Sequence, residues 1–326
     1  MILRLVARFL GSLAVASVLI FLLLRAIPGD PARVALGVTA TDEAVAELSA
    51  QLGTDRPLAV QYFEWVGGLL TGDFGTSLAS RQDITPLVWD RLQVSLLLCG
   101  TAMALSLVVA VPLGVWAARR AYRADGVAIS AFSQVGMAVP SFLAGVLLVA
   151  VFSVRWGWLP ANGWVPPGVD FGEFVRRLIL PVVALTLVQA SIMTRYVRGA
   201  VLEVLDTNYI RTARSIGQSR DEALWRHGLR NAALPVLTVT GVQLTSLIVG
   251  AVVVEQVFVL PGLGSMLLDA VSNRDLTTVQ TIVMLLVVFT LAVNFVVDLL
   301  YRLVDPRLRR RQAERETQDD AAAVVA

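Results

Sequence analysis

Few side chains in this 326-residue sequence are of the kinds that make or break bonds. His227 is the single histidine and Cys99 the single cysteine. Neither an H-E-x-x-H zinc site, a cysteine-cluster metal site nor an internal disulfide can be built from them. His227 reads as a surface or interfacial residue and Cys99 as a small core residue. All 27 basic residues are arginine. A P-loop needs its lysine on the nucleotide phosphates, so a Walker-type ATPase is excluded. No nucleophile and base stand out as a pair. What remains is a concentration of arginine. From Asn208 to Pro235, "NYIRTARSIGQSRDEALWRHGLRNAALP" sets Arg211, Arg214, Arg220, Arg226 and Arg230 between two apolar runs. The chemistry on offer is recognition, and no cofactor, metal or nucleic acid is expected.

The spacing within this stretch predicts two helices joined by a corner. Leu202, Leu205, Tyr209, Ala213 and Ile216 recur at steps of three and four, one stripe of a helix. Asp206 suits a fresh helix start, and Gly217 suits the left-handed residue that ends one. "SRDE" is a capping box, with Ser219 accepting from the Glu222 amide while Glu222 reaches back. A second helix follows, with Trp225, Leu229 and Ala232 on one face and the favourably ordered pair Glu222 and Arg226 on another. Pro235 lies near the entry to the next apolar run. Two readings fit: a basic amphipathic element resting on anionic headgroups, or a docking surface for a cytoplasmic partner. A sharply specified turn favours docking, as do Tyr209 and Trp225, which have the character of interface anchors.

The elements that carry this corner belong to a membrane. The sequence is 56% hydrophobic and 16% charged, against about 25% charged in a soluble domain. Six segments approach the ~20 apolar residues that a spanning helix needs: Leu5–Ile27, Val94–Ala118, Val127–Val154, Leu178–Tyr196, Leu234–Val259 and Gln280–Leu303. The first is expected to stay uncleaved, because no small-residue cleavage site follows it. With the N-terminus cytoplasmic, 18 of the 27 arginines fall in inside segments, as the positive-inside rule requires. Both termini and the basic stretch are then cytoplasmic.

The expected organisation is a first span at 1–27, an extracytoplasmic cap segment at 28–92 and a five-helix core at 93–305. The core includes a cytoplasmic loop at 197–233, and a cytoplasmic tail occupies 306–326. In the cap, "TDEAVAELSAQLG" reads as a short helix with Thr41 as N-cap and Gly53 as stop, and a second amphipathic helix starts at Pro57. "RWGWLPANGWVPPG" (Arg155 to Gly168) is a second outer loop whose tryptophans suit the headgroup boundary.

Other polar residues inside the apolar runs leave alternatives open. Glu255, near the outer end of the fifth span, either lines an outer gate or pairs with Arg274 or a neighbouring backbone. Gln134, Gln189 and Gln243 face a water-filled path or bond between helices. Asp298 stands one turn before Arg302 and is expected to pair with it. Pro112, Pro140 and Pro181 are expected to bend their helices. A secondary transporter is disfavoured by the absence of an inverted repeat or midplane carboxylate cluster, and an intramembrane enzyme by the missing chemistry above.

The stretch "YIRTARSIG…WRHGLRNAALP" resembles the cytoplasmic coupling loop of ATP-binding-cassette (ABC) importer permeases. Arg211-Thr212-Ala213, three further residues and Gly217 stand where that loop has Glu-Ala-Ala-x-x-x-Gly. The "RTAR…G" form and the longer interval to Leu234-Pro235 look like the dipeptide/oligopeptide/nickel branch. "IPGDPAR", "LGTDRPLAVQYFEWVGGLLTGDFGTSL", "EQVFVLPGLGSMLLDAVSNRD" and "VVDLLYRLVDPRLR" resemble B-type peptide permeases in the same order. The resemblance implies an all-α polytopic protein of a bacterial cytoplasmic membrane. It also implies a heterodimer with a second permease, two cytoplasmic ATPase domains and an extracytoplasmic solute-binding protein. It assigns ATPase docking to the loop residues Tyr209, Arg211, Thr212, Ala213, Arg214, Gly217, Ser219, Glu222, Trp225 and Arg226. The cargo it implies is a di- or oligopeptide, with nickel or another small solute as the alternative.

Overall fold

The computed structural model describes residues 2–26, 31–36 and 40–304. The tail 306–326, the "PGDP" turn and the Arg302 side chain expected to meet Asp298 lie outside the described residues. Within them the chain is helical, and its one β-bridge, Thr76 with Asp83, is isolated. In order the helices are α1 (Ile2–Arg25), α2 (Pro31–Leu36), α3 (Asp42–Leu52), α4 (Leu58–Thr71), α5 (Thr85–Arg119), α6 (Ala124–Ala138), α7 (Ser141–Leu148), α8 (Phe171–Leu205), α9 (Asn208–Ser215), α10 (Arg220–Ala223), α11 (Leu229–Val257), α12 (Leu263–Ser272) and α13 (Leu276–Val304).

Five helical stretches among the described residues are long and apolar enough to cross a bilayer. A sixth crossing is available only as an interrupted pair, α6 with α7 and its wider π-helical continuation Val149–Arg155. The break falls at Val139 and Pro140, both in extended backbone. Proline lacks the amide a helix needs and pushes the residue before it away from the helical region. The single span expected at Val127–Val154 is therefore two helices. Pro112 and Pro181, by contrast, sit inside α5 and α8, each an uninterrupted 35-residue helix. Leu22, Leu23, Val108, Phe132 and Val249 are all exposed on the chain alone, a surface that suits lipid and would be a liability in water.

The described residues form two compact units. The first combines Met1–Met103, Pro140–Leu187 and Ser246–Leu291. Its cap helices follow the sequence signals. Thr41 accepts the Ala44 amide at 3.3 Å to open α3, and Gly53, at φ 67°, closes it. Phe74, Ile84, Val88, Leu263, Met266 and Ile282 form one buried cluster of this unit. Beside it, Asp275 is 5% exposed and caps α13 by accepting from the Thr278 amide (3.4 Å), and it accepts from Thr278 Oγ1 as well (2.7 Å). The same carboxylate accepts from Ser77 Oγ (2.5 Å) and from the Leu78 amide (3.0 Å). It therefore ties the turn after the cap to the entry of the last span across nearly 200 residues of sequence.

The second unit combines the described residues of Ala104–Val139, Val188–Thr245 and Ala292–Ala326. Its core joins Val115 and Ala118 of α5, Val197, Val201 and Val204 of α8, Ile210 and Ala213 of α9, and Leu224. Small residues set the helix spacing. A Cβ on Gly114 would lie 2.6 Å from Val197 and 2.9 Å from the Thr194 carbonyl oxygen. Gly100, on the same helix, has open space where its Cβ would be. Gly114→Val should therefore destabilise the protein by roughly 1–3 kcal/mol through overpacking, whereas Gly100→Val should leave stability near wild type. Thermal unfolding of both variants in detergent, followed by size-exclusion chromatography, checks the contrast; equal losses would mean that the close approach of α5 and α8 is not what holds them.

Candidate functional site

The basic stretch folds as a corner on the core of the second unit. α8 ends at Leu205, and after Asp206 the chain restarts as α9 with Thr207, in extended backbone, at the N-cap. Asp206, expected to cap this start, is displaced by one position. Thr207 Oγ1 instead turns back to the Val204 carbonyl at 2.6 Å. α9 closes in a Schellman arrangement, with the Gln218 amide on Ala213 O (3.2 Å) and the Gly217 amide on Arg214 O (3.1 Å). Gly217 takes φ 99°, and nothing lies within 4 Å of where its Cβ would be. What requires glycine here is backbone conformation, not space. Ser219 then opens α10, accepting the Glu222 amide at 3.1 Å. The return half of the capping box is not among the bonds formed by the described residues. Glu222 instead faces Arg226 at 3.9 Å.

The stripe read from the sequence is corrected in part. Leu205 and Ala213 are buried as expected, but Ile216 is 76% exposed, and the buried residue of the first arm is Ile210, at 1%. The restart at Asn208 explains this, because a break in the helix resets the phase of the three-and-four pattern. The second arm differs similarly. Sequence spacing puts Trp225 on one face with Leu229 and Ala232, yet Ala232 is buried and Trp225 is 62% exposed. A wider π-helical turn at Leu224–Gly228 shifts the register, so Leu224 enters the core in its place. A Cβ on Gly228 would meet Leu224 at 2.8 Å and Val204 at 3.0 Å, so this turn sits close against α8. The second arm runs on through Pro235, which lies inside α11.

The outcome is a surface of defined composition. Arg211, Thr212, Arg214, Ser219, Glu222 and Arg226 are exposed, with Tyr209, Ile216 and Trp225 among them. Tyr209 is steadied by Asn231 Nδ2, which donates to its hydroxyl at 2.9 Å. Arg119, at the end of α5, grips Asp221 through one edge of its guanidinium, Nε donating to Oδ1 at 2.7 Å and Nη2 to Oδ2. Sequence reading missed that ion pair, since the partners are about a hundred residues apart.

Of the four candidate path residues, Gln189 and Gln243 meet directly. Gln134 is exposed on α6. Gln189, 4% exposed, donates to Gln243 Oε1 at 3.4 Å, a bond between α8 and α11 within the second unit. Glu255 belongs to the first unit and is 1% exposed. It accepts from Ser95 Oγ at 2.6 Å and from the Ser265 amide at 3.0 Å, while Ser95 Oγ itself accepts the Leu263 amide at 2.8 Å. The carboxylate thus satisfies amides at the start of α12, and the "VLPGLG" turn folds over it. A Cβ on Gly262 would lie 2.1 Å from its Cδ. Of the pairings considered from sequence, the one with neighbouring backbone is present; among the described residues no ion pair with Arg274 is formed. Ser95 and Gly262 carried no sequence signal of this role.

Removing the Glu255 side chain should orphan these buried groups, each loss costing roughly 1–3 kcal/mol. Glu255→Ala should accumulate poorly, and Glu255→Gln, which keeps one acceptor for Ser95 but turns an NH2 toward the Ser265 amide, should accumulate to a level between Glu255→Ala and wild type. Membrane levels and thermal unfolding of the two variants decide the point. Normal accumulation of Glu255→Ala would remove the structural role.

Comparison with known proteins gives this arrangement its context. Residues 110–310 match the family described as binding-protein-dependent transport system inner membrane component, and residues 1–99 match its N-terminal companion. A probable peptide ABC transporter permease protein, y4tP, of Sinorhizobium fredii is 38% identical over 94% of this chain and 98% of that protein. The oligopeptide transport system permease protein AppB of Bacillus subtilis is 36% identical over 90% and 93%. The glutathione transport system permease protein GsiC of Salmonella choleraesuis is 37% identical over 93% and 97%. Among solved structures, the MetNI methionine ABC transporter in an inward-facing form aligns with a TM-score of 0.57 at 20% identity, over 68% of this chain and 98% of that one. An amino acid ABC transporter aligns at 0.52 and 18%, over 67% and 94%. These two likenesses concern the fold. The chain belongs to the inner-membrane components of binding-protein-dependent transport systems and is a multi-pass permease subunit of an ABC importer.

Proposed function

We propose that this permease forms half of a translocation path for di- or oligopeptides and performs no chemistry itself. ATP is hydrolysed on two partner ATPase domains, and an extracytoplasmic binding protein delivers the cargo. The other half of the path is a homologous but different permease subunit. The peptide reading is supported by the relatives, which are named as peptide, oligopeptide and glutathione permeases. Nickel or another small solute is the alternative within the same family.

The observation that carries the coupling role is the corner at Gly217. Its inner side is locked into the core by Ile210, Ala213 and Leu224, and its outer side offers Tyr209, Ile216 and Trp225 among arginines. A rigid mount with exposed aromatic and basic residues suits a pocket on an ATPase that must push and pull. A helix that only rests on lipid needs no left-handed corner. Tyr209, Arg211, Thr212, Ala213, Arg214, Gly217, Ser219, Glu222, Trp225 and Arg226 are assigned to this contact. Gln134, Gln189, Gln243 and Glu255 stay candidates for the path or its outer gate, with Glu255 also anchoring α12.

The test is Gly217→Val. The added Cβ meets no neighbour, so the variant strains only the corner, by roughly 1–2 kcal/mol. It should insert normally, retain less ATPase on co-purification and lose uptake. Normal ATPase retention together with normal uptake would dismiss the coupler. A lipid-resting element predicts instead a graded loss as Arg211, Arg214 and Arg226 are removed.

In this reading the cap segment 28–92 is extracytoplasmic, and the loop 197–233, both termini and the tail are cytoplasmic. Cysteines placed singly at Ser49 and Ser219, in a chain with Cys99 replaced by alanine, should react with an impermeant maleimide from opposite sides of the membrane. Reaction from one side only would refute the topology.

A further inference from the structure

The corner is joined to the rest of its unit in two ways. Its first arm follows α8 after Asp206, and its second arm runs without a break from α10 through the π-helical turn into α11. α8 and α11 are therefore attached to it by the chain itself. α5 is not, and it meets the corner through side chains. Val115 and Ala118 share the apolar cluster with Ile210, Ala213 and Leu224, and Arg119 holds Asp221.

These contacts differ in kind. Burial of apolar surface is non-directional, so a small side chain such as Ala118 resists closer approach but not sliding or rotation. The ion pair is directional. Arg119 Nε and Nη2 each donate to a separate oxygen of Asp221, so a planar fork meets both oxygens of one carboxylate and fixes angle as well as distance. Asp221 is free for this role because Ser219 caps α10 and Glu222 faces Arg226. The two side chains are 36% and 53% exposed, so the pair adds little to global stability. What it fixes is geometry.

The α5 side of the junction is equally well defined. Asp125, near the start of α6, accepts from Arg120 Nη1 at 2.6 Å and from Trp116 Nε1 at 3.1 Å, and its other oxygen accepts the Gly126 amide at 3.0 Å. The Arg120 guanidinium lies over the Trp116 ring, 5.1 Å from its centre. A Cβ on Gly126 would stand 2.1 Å from the Arg120 carbonyl oxygen, so α6 starts hard against the end of α5. These two helix ends form one block, and Arg119 reaches from that block to the corner.

We propose that the Arg119–Asp221 pair is the link through which a displacement of the corner reaches α5 and α6, and that both are positioning residues for transport. Neither is among the residues assigned to the ATPase contact. The proposal rests on the coupling role given to the corner above. With the link intact, α5 moves together with α8 and α11; with the link broken, α8 and α11 follow the corner and α5 lags.

The test uses the complete transporter in lipid vesicles, with its binding protein purified together with its own cargo. Arg119→Gln, Asp221→Asn and the double variant are compared with wild type for ATPase retained on co-purification, unfolding temperature and stimulation of ATP hydrolysis by the binding protein. Retention and unfolding temperature should match wild type in all of them. Stimulation should fall roughly fivefold in each single variant and no further in the double, because either change alone breaks the pair. Spin labels on cysteines at the exposed positions Tyr122 and Ser215, with Cys99 replaced by alanine, report the movement directly. Their separation should be the same with and without bound ATP in wild type, and should differ between the two states in Asp221→Asn. Unchanged stimulation, losses that add in the double variant, or a constant separation in Asp221→Asn would overturn the proposal. A loss of ATPase retention as large as the loss of stimulation would overturn it as well, by making Asp221 a docking residue. If Gly217→Val keeps normal ATPase retention and uptake, the coupler falls and the link with it. If Gly217→Val fails as expected while the Arg119 and Asp221 variants behave as wild type, the link alone falls.

Discussion

A helix that starts where water is scarce leaves amides that only the protein can satisfy, and much of this structure is organised around that requirement. Glu255 answers it at the start of α12, together with Ser95 and Ser265. Asp275 answers it at the start of α13 while also holding Ser77 and Leu78. Each carboxylate is almost wholly buried, and each ties together segments that are more than 150 residues apart. Without them the turns around Pro261 and Arg274 would expose unpaired backbone, and the neighbouring spans would lose their fixed ends. The glycine opposite Glu255 belongs to the same arrangement, because only a residue without a Cβ lets the turn close over the carboxylate.

The corner at Gly217 meets the same requirement by other means, since its backbone groups find partners within the corner itself. α9 ends on its own carbonyls through Gly217, and Ser219 supplies the next cap. The side chains freed from capping are then available for a partner. Burial of Ile210, Ala213 and Leu224 makes the corner stiff, and a stiff corner can transmit a displacement that a mobile loop would absorb. Stiffness and exposure are thus divided between two faces of one short element. The π-helical turn at Leu224–Gly228 makes the division possible, because it turns Leu224 inward and Trp225 outward.

The segment after the first span shows how an apolar surface changes meaning with depth. Read as a water-facing cap, α4 would carry too many large apolar side chains on its free side. Its hydrogen bond and ring contacts with α1 place it beside a membrane span instead. The same residues that would invite aggregation in water would suit contact with lipid.

Much of this protein was legible in its sequence. Composition alone determined an all-α membrane chain, because 56% apolar residues cannot be hidden in a soluble fold of this length. Local signals of a few residues, such as Thr41 with Gly53 or Gly217 with Ser219, located helix ends correctly, since caps and left-handed corners depend on neighbours in the chain. Absent residue types were equally informative: without lysine, and with one histidine, whole classes of chemistry disappear. What tertiary structure decided were the properties that depend on phase and on distant partners. Whether Ile216 or Ile210 faces the core depends on a restart at Asn208, and whether Trp225 or Leu224 does depends on one wider turn. Neither leaves a mark on hydrophobic periodicity, which averages over such slips. The roles of Glu255 and Asp275 were hidden for a related reason. A buried carboxylate is recognised by the amides that surround it, and those amides come from segments that only folding brings together.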